Sequence, residues 1–406
     1  MKKKLFLTGS IMLVVFSVFC CLSFFNGGFC SAEEVRGVTK DTITIGAIID
    51  QTGPAASVGI PLAEGAKTYF RNINDNQGIN GRKVKIVVED DHYTIPGSFS
   101  AFKKLIFKDR ILAMLFCGGT GQVFALMKQI EKHKLPTIPV SLTESLTTPF
   151  RQYIFTASGS YDDGLKIIID YMMKDLKAKN PKVAVVYPDL EFGKSGLQAI
   201  TRYLPKYNLK VDAKVVLALG AIDATSEVLS LKRLKPDFVI LNNAAAAVVS
   251  FLKGAKKFGL KSKVIGSYYV GEEELIGSSG EAAKDLLAIS PYGFWSDNTE
   301  GMISLREITR KYQPKTKKKT RSFTQGWITS MICAEGLKRA GENLNSKTLI
   351  EAFETFRNFS TGEISGPVSY SKDNHKGGNT YRVYKTDLEN VTFIPITGFR
   401  EPVIID

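Results

Sequence analysis

The chain has 406 residues, 44% hydrophobic and 23% charged, with a formal net charge of +14. This is an ordinary globular composition, long enough for two domains. Beyond residue 32 only Cys117 and Cys333 remain. That excludes a disulfide framework and leaves two buried thiols as the expected state. The densest basic cluster, Lys315 to Arg321, has no interleaved aromatic residues. It reads as a solvated loop, and no nucleic-acid partner is expected.

Lys2, Lys3 and Lys4 precede an apolar run from Leu5 to Phe25, and Ser31, Ala32 and Glu33 follow. Residues 1–32 read as a secretory signal peptide cleaved near Ala32. The alternative is an uncleaved anchor, because about 20 apolar residues suffice to span a bilayer. A lipoprotein signal fits less well, since Phe19 and Phe29 precede two of the three candidate cysteines. Without residues 1–32, which hold three lysines and no acid, the net charge becomes +11.

Thr42–Gly59 is the organising stretch. An apolar strand, Ile43 to Ile49, runs into Asp50-Gln51-Thr52-Gly53-Pro54, where glycine and proline turn the chain. Pro61 suits a first helical position. Leu62, Ala66, Tyr69, Phe70 and Ile73 then share one helix face. Ligands of open α/β sheets bind just outside the carboxyl ends of strands, so Thr52–Gly59 is expected to form one lip of a cleft.

From there strands and helices alternate. Strands are expected at Val84–Glu89, Ile111–Phe116 and Thr137–Val140, the last followed by the polar loop Ser141 to Ser145. A second set begins after Thr156. It has a helix at Tyr161–Leu176 and strands at Val183–Tyr187, Val211–Leu217, Phe238–Leu241, Lys263–Gly266 and Leu286–Ser290. Helices are expected at Glu300–Tyr312, Phe323–Ala340 and Ser346–Glu354. Short strands at Val368–Tyr370, Tyr381–Tyr384 and Thr392–Ile396 close the chain. The fold class is α/β, with two doubly wound parallel-sheet lobes.

Catalytic signatures are missing. Gly193-Lys194-Ser195 lacks the earlier glycine of a phosphate loop, where Pro188 stands, and Gly119-Thr120-Gly121 has Phe124 at the third glycine of a dinucleotide fingerprint. His92, His133 and His375 share no metal spacing. Glu89, Asp90 and Asp91 read as a solvated or capping cluster. No enzyme activity, cofactor or metal is expected.

The motifs Ile45-Gly46, Thr52-Gly53-Pro54, Glu64-Gly65, Gly78-Ile79-Asn80-Gly81-Arg82, Asp90-Asp91, Cys117 to Gly121, Phe192-Gly193 and Gly366-Pro367-Val368 converge. Together they resemble the type I periplasmic binding proteins of ABC transporters, in the leucine/isoleucine/valine-binding branch, across about Val38 to Phe399. The resemblance implies two lobes joined by three hinge crossings, near Phe155-Thr156, Ser290-Pro291 and Tyr381. Lobe one would be 33–155 plus 292–380, and lobe two 156–291 plus 381–406. It implies a small-molecule ligand, an ABC permease at the inner membrane as partner, a monomer, and a periplasmic or extracellular location.

Carried over residue by residue, the resemblance puts Val58 at a first-loop contact that is usually aromatic. Gly118, Gly119 and Thr120 fall on the serine-rich loop that holds the ligand carboxylate. Ser141, Leu142 and Thr143 fall on the next loop, with Leu142 where a carboxylate-binding threonine is usual. Phe192 stands at a cleft tyrosine, Asn243 and Ala244 lie in a further loop where another tyrosine is usual, and Tyr268 takes the place of the acid that grips the α-ammonium. Tyr161 and Phe323 are further cleft candidates. The family's leucine-binding members pair a cysteine at Cys117 with one at the position of Tyr93, a bridge this chain cannot form.

An ammonium buried without a carboxylate loses several kcal/mol of hydration. The tyrosine at 268 therefore argues against a plain α-amino acid, unless Glu144, Asp189, Glu191 or Glu272 supplies the charge. The expected function is an exported solute-binding protein for a small apolar or aromatic carboxylate, or an amino acid. The alternative is a ligand-sensing receptor domain on the same fold, against which the end of the chain at Asp406 is read. An enzyme on an α/β scaffold is the third class.

Overall fold

A computed structural model of the chain describes residues 35–403. The expected signal peptide lies outside the described residues. Among those described, no helix is long and apolar enough to cross a membrane.

Two sheets carry the fold. The first is wholly parallel, in the order β2-β1-β3-β4: β1 Thr42–Ile49, β2 Lys83–Asp90, β3 Ala113–Leu115 and β4 Thr137–Ile138. Its register sets Ile45 beside Ile86 on one side and Ala113 on the other. The second has the order β11-β10-β9-β8-β7-β5-β6. There β5 (Val183–Tyr187), β6 (Val211–Val216), β7 (Phe238–Leu241), β8 (Lys263–Gly266) and β9 (Leu287–Ser290) run parallel. β10 (Arg382–Asp387) and β11 (Thr392–Pro395) close it antiparallel. The central strands are apolar without alternation because helices cover both of their faces: Val183–Val186 and Phe238–Leu241 are all buried.

The expected strands and helices recur to within a few residues, with three corrections. Helix α1 spans Ala56–Asp75, so Pro61 lies inside it and does not start it. The Asp50 carboxylate explains the earlier start. It accepts from the backbone N–H groups of Thr52, Gly53 and Ala55, at 3.2, 2.5 and 2.7 Å, and so organises the loop before the helix. Val368–Tyr370 is not a strand; Val368 makes one isolated bridge to Phe359. The helix from Tyr161 is α-helical only to Asp170, and its last turn, Tyr171–Asp175, widens to π.

The remaining helices that position the cleft are α2 (Ile95–Lys103), α3 (Thr120–Lys132), α4 (Tyr161–Asp170), α5 (Glu191–Tyr203), α6 (Thr225–Leu234), α7 (Ala245–Phe258), α8 (Glu273–Ser279), α9 (Glu300–Tyr312) and α10 (Arg321–Ala340). α10 lies along α1, with the rings of Tyr69 and Trp327 edge to face at 5.0 Å. Cys117 and Cys333 are both free and buried.

The basic stretch leading into α10 is only in part the solvated loop its composition implies: Lys315 and Lys317 are exposed, but its end is not. Lys319 binds Glu64 at 2.5 Å, and Arg321 is fully buried. Arg321 leaves α10, on the first sheet's side, and reaches the segment after β8 of the second. Its Nε donates to the Gly271 carbonyl at 3.0 Å, its Nη2 pairs with Glu272, and its Cζ sits 3.8 Å over the Tyr268 ring. Beside it, Glu273 Oε2 accepts from Arg321 N at 3.2 Å. Burial, reinforced by Glu272, pushes the Glu273 carboxyl up to about 8. A buried ion pair thus ties the two sheets together behind the cleft. Removing one partner strands the other charge, at a cost of roughly 3–5 kcal/mol. Arg321→Met is therefore expected to lower the denaturant midpoint strongly, and Arg321→Met with Glu272→Met to recover most of that loss.

Candidate functional site

The carboxyl ends of eight of the nine parallel strands, β1 to β8, face one cavity with about 620 Å³ of empty space, part of it open to solvent. Ile48, Ile49 and Asp50 come from the end of β1, with Ala55, Val58, Gly59 and Leu62 from the loop and helix that follow. Tyr93 comes from beyond β2, Phe116, Gly118, Gly119 and Thr120 from beyond β3, and Val140 from beyond β4. The second sheet supplies Tyr161 from α4, Phe192 from α5, Leu219 beyond β6, Ala244 beyond β7 and Tyr269 beyond β8. The lining is mostly apolar with a few converging polar groups, the make-up of a small-ligand site.

The polar groups cluster at one wall. Gly118 has φ of +59°, and a side chain there would also meet Asp91 Oδ2 at 2.7 Å. This turn starts α3, whose first N–H groups have no side-chain cap. Uncapped donors and the helix dipole favour an anion at this point. Thr120 Oγ lies 2.8 Å from Ser141 Oγ and 3.3 Å from Thr143 Oγ, and these two are 3.2 Å apart. The three hydroxyls orient one another. On the opposite wall the Tyr161 and Tyr269 hydroxyls meet at 2.8 Å, and Phe192 lies edge to face against both rings.

The β2 loop closes the polar end. Asp90 Oδ1 accepts from Gln51 N and His92 N, both at 3.0 Å, and Thr52 Oγ donates to Asp90 Oδ2 at 2.7 Å. Asp91 is wholly buried, accepting from Tyr93 N at 3.1 Å and Ser98 Oγ at 2.7 Å. The acidic cluster is thus a capping feature.

Of the residues expected at the site, Val58, Gly118, Gly119, Thr120, Tyr161, Phe192 and Ala244 line the cavity. Ser141 and Thr143 stand behind Thr120 and reach the cavity only through it. Leu142 belongs to the core; its carbonyl accepts from Tyr161 N at 2.9 Å. Asn243 is fully buried, spending its amide on the Leu217 carbonyl and Ala244 N, both at 2.8 Å. Phe323 is buried against Trp295. Tyr268 turns away: its hydroxyl donates to Gln325 Oε1 at 2.6 Å under the Arg321 guanidinium. Its neighbour Tyr269 faces the cavity instead. The two sit on a single 3-10 turn, Tyr268–Val270, where one residue rotates the side chain by about 120°.

None of the proposed substitute acids lines the cavity. Glu144 pairs with Lys376 at 3.2 Å, Asp189 with Lys194 at 3.0 Å, Glu272 with Arg321, and Glu191 is exposed. Asp50 does line it, but its oxygens already accept three backbone N–H groups. Tyr93 and Leu219 were missed. Tyr93 carries one readable sign, its place two residues after the acid pair Asp90-Asp91; Leu219 carries none. Among the described residues no group of three or more His, Cys, Asp or Glu side chains is placed to hold a metal ion.

Residues 42–390 match the family model described as periplasmic binding protein. The Leu/Ile/Val-binding protein of Escherichia coli K12 is 25% identical over 276 residues, 68% of this chain and 72% of that protein. A branched-chain amino acid ABC transporter structure from Thermus thermophilus with bound valine superposes with a TM-score of 0.81. It is 24% identical over 90% of this chain and 97% of that one. A fatty acid ABC transporter substrate-binding protein from Thermomonospora curvata gives 0.82 and 23%, covering 90% and 94%. The chain belongs to the periplasmic binding protein family.

Proposed function

We propose that this protein captures a small carboxylic acid with an apolar or aromatic body and no ammonium group, and delivers it to an ABC permease at the inner membrane. The single observation that carries this is the uneven polarity of the cavity. It offers the α3 N-terminus and Thr120 to an anion, and no unoccupied carboxylate to a cation. Charge-assisted bonds from such neutral donors are worth about 1.5–3 kcal/mol each. A buried ammonium would meet no carboxylate but Asp50, whose oxygens are already taken up by three backbone N–H groups. Relatives of this fold that carry valine and a fatty acid are compatible with such a change of ligand. Lobe one is taken as 33–155 plus 292–380 and lobe two as 156–291 plus 381–406, closing about crossings near Phe155-Thr156, Ser290-Pro291 and Tyr381. Export by the N-terminal segment would put the protein in the periplasm.

Calorimetry on matched pairs tests the reading: 4-methylpentanoate against leucine, and 3-phenylpropanoate against phenylalanine. The acid without nitrogen is expected to bind at least tenfold more tightly in one pair; equal or reversed affinities in both overturn the reading. Small-angle scattering should show a smaller radius of gyration at saturation, and an unchanged radius would count against lobe closure. Thr120→Ala should weaken the acid roughly tenfold, the loss of one hydrogen bond to a charge. Ser141 and Thr143 keep each other as partners, so its melting temperature should move little.

A further inference from the structure

The turn that carries Tyr93 is strained in a way nothing in the folding of β2 requires. His92 and Tyr93 are consecutive non-glycine residues with φ of +52° and +55°. Aromatic side chains are rarely found there, and such outliers concentrate at functional sites. Two carboxylates hold the turn, Asp90 on His92 N and Asp91 on Tyr93 N. The result is to lay the Tyr93 phenol against the start of α3. A methyl group added to Gly119 would come within 2.7 Å of Tyr93 Cε2 and 2.8 Å of Tyr93 Oη.

The hydroxyl delivered there is unspent. Tyr161 and Tyr269 share one hydrogen bond on the opposite wall, whereas Tyr93 Oη makes no side-chain hydrogen bond among the described residues. Burial, with the charges of Asp91 and Asp50, pushes its pKa up to about 12. At neutral pH it is therefore a proton donor, on a half-buried residue that lines the cavity, and it is available to an acceptor seated there. Gly119 is small because the ring covers it, and Cys117 beneath stays a free thiol.

We propose that Tyr93 is a specificity-determining ligand residue, whose phenol donates to the carboxylate seated at the N-terminus of α3. This rests on the carboxylate reading above. One oxygen of the acid would accept from the helix N–H groups and Thr120, and the other from Tyr93. A primary amide of the same body can accept there through one oxygen only, so Tyr93 favours the acid over its amide.

The test is calorimetry of wild type, Tyr93→Phe and Tyr93→Gly with 4-methylpentanoate, 3-phenylpropanoate and their primary amides, with melting temperatures measured alongside. Tyr93→Phe is expected to lower acid affinity about tenfold and amide affinity less than threefold, with the melting temperature unchanged. Tyr93→Gly, which removes the hydroxyl while suiting the positive φ, should also lose the preference for acid. Unchanged acid affinity in Tyr93→Phe, or an acid-to-amide ratio equal to wild type, overturns the assignment. So does a Tyr93→Gly protein that melts lower and keeps the wild-type ratio, the signature of a purely structural role. Failure of the wild type to bind either acid overturns the carboxylate reading itself, and Tyr93 with it.

Discussion

A charge taken out of water has to meet a fixed partner, and this constraint organises the molecule around its cleft. Arg321 is wholly buried and is met by Glu272, by a carbonyl and by the face of Tyr268. Lys376 is held between Glu144 and Asp163, at 3.2 and 3.0 Å. The acids near the cleft are therefore already committed. Apart from Asp50, whose oxygens already accept three backbone N–H groups, what is left facing the cavity is neutral: hydroxyls, backbone N–H groups and rings. A neutral wall with uncapped donors suits an anion on an apolar body and offers little to a cation.

The carboxylates of Asp50, Asp90 and Asp91 solve a different problem. Strands that end at one face leave backbone donors with no ladder partner. These three side chains take up the N–H groups of Thr52, Gly53, Ala55, Gln51, His92 and Tyr93. Fixing the loops in this way sets the lips of the cleft. It also holds His92 and Tyr93 in left-handed conformations that cost about 1–3 kcal/mol each when unsupported. Loop stability and ligand geometry are thus one network, and a change in either acid would reach both.

The fold leaves the ligand open. Eight of the nine parallel strands deliver their ends to the cavity, so its chemistry depends on a few residues per loop. Architecture of this kind is kept while contacts vary, which is why function is argued from the site and not from the likeness of folds.

Much of the architecture was legible in the chain. The apolar runs at Thr42–Ile49, Val183–Tyr187 and Phe238–Leu241, punctuated by glycine and polar loops, follow from backbone geometry and burial, which are local or nearly so. The Cys117–Gly121 loop announced itself through its glycines. The sequence also determined that Tyr268 stands where an acid was expected. Only the tertiary structure decided that Tyr268 is sealed beneath Arg321 while Tyr269 faces the cavity, because the rotation of a single turn is set by partners more than 50 positions away. It alone decided that a guanidinium in a lysine-rich stretch is buried, since composition reports charge and not the distant carboxylate that neutralises it. It alone brought Tyr93 against Gly119, for a close approach between segments leaves its mark on one residue's size and never on the identity of the other.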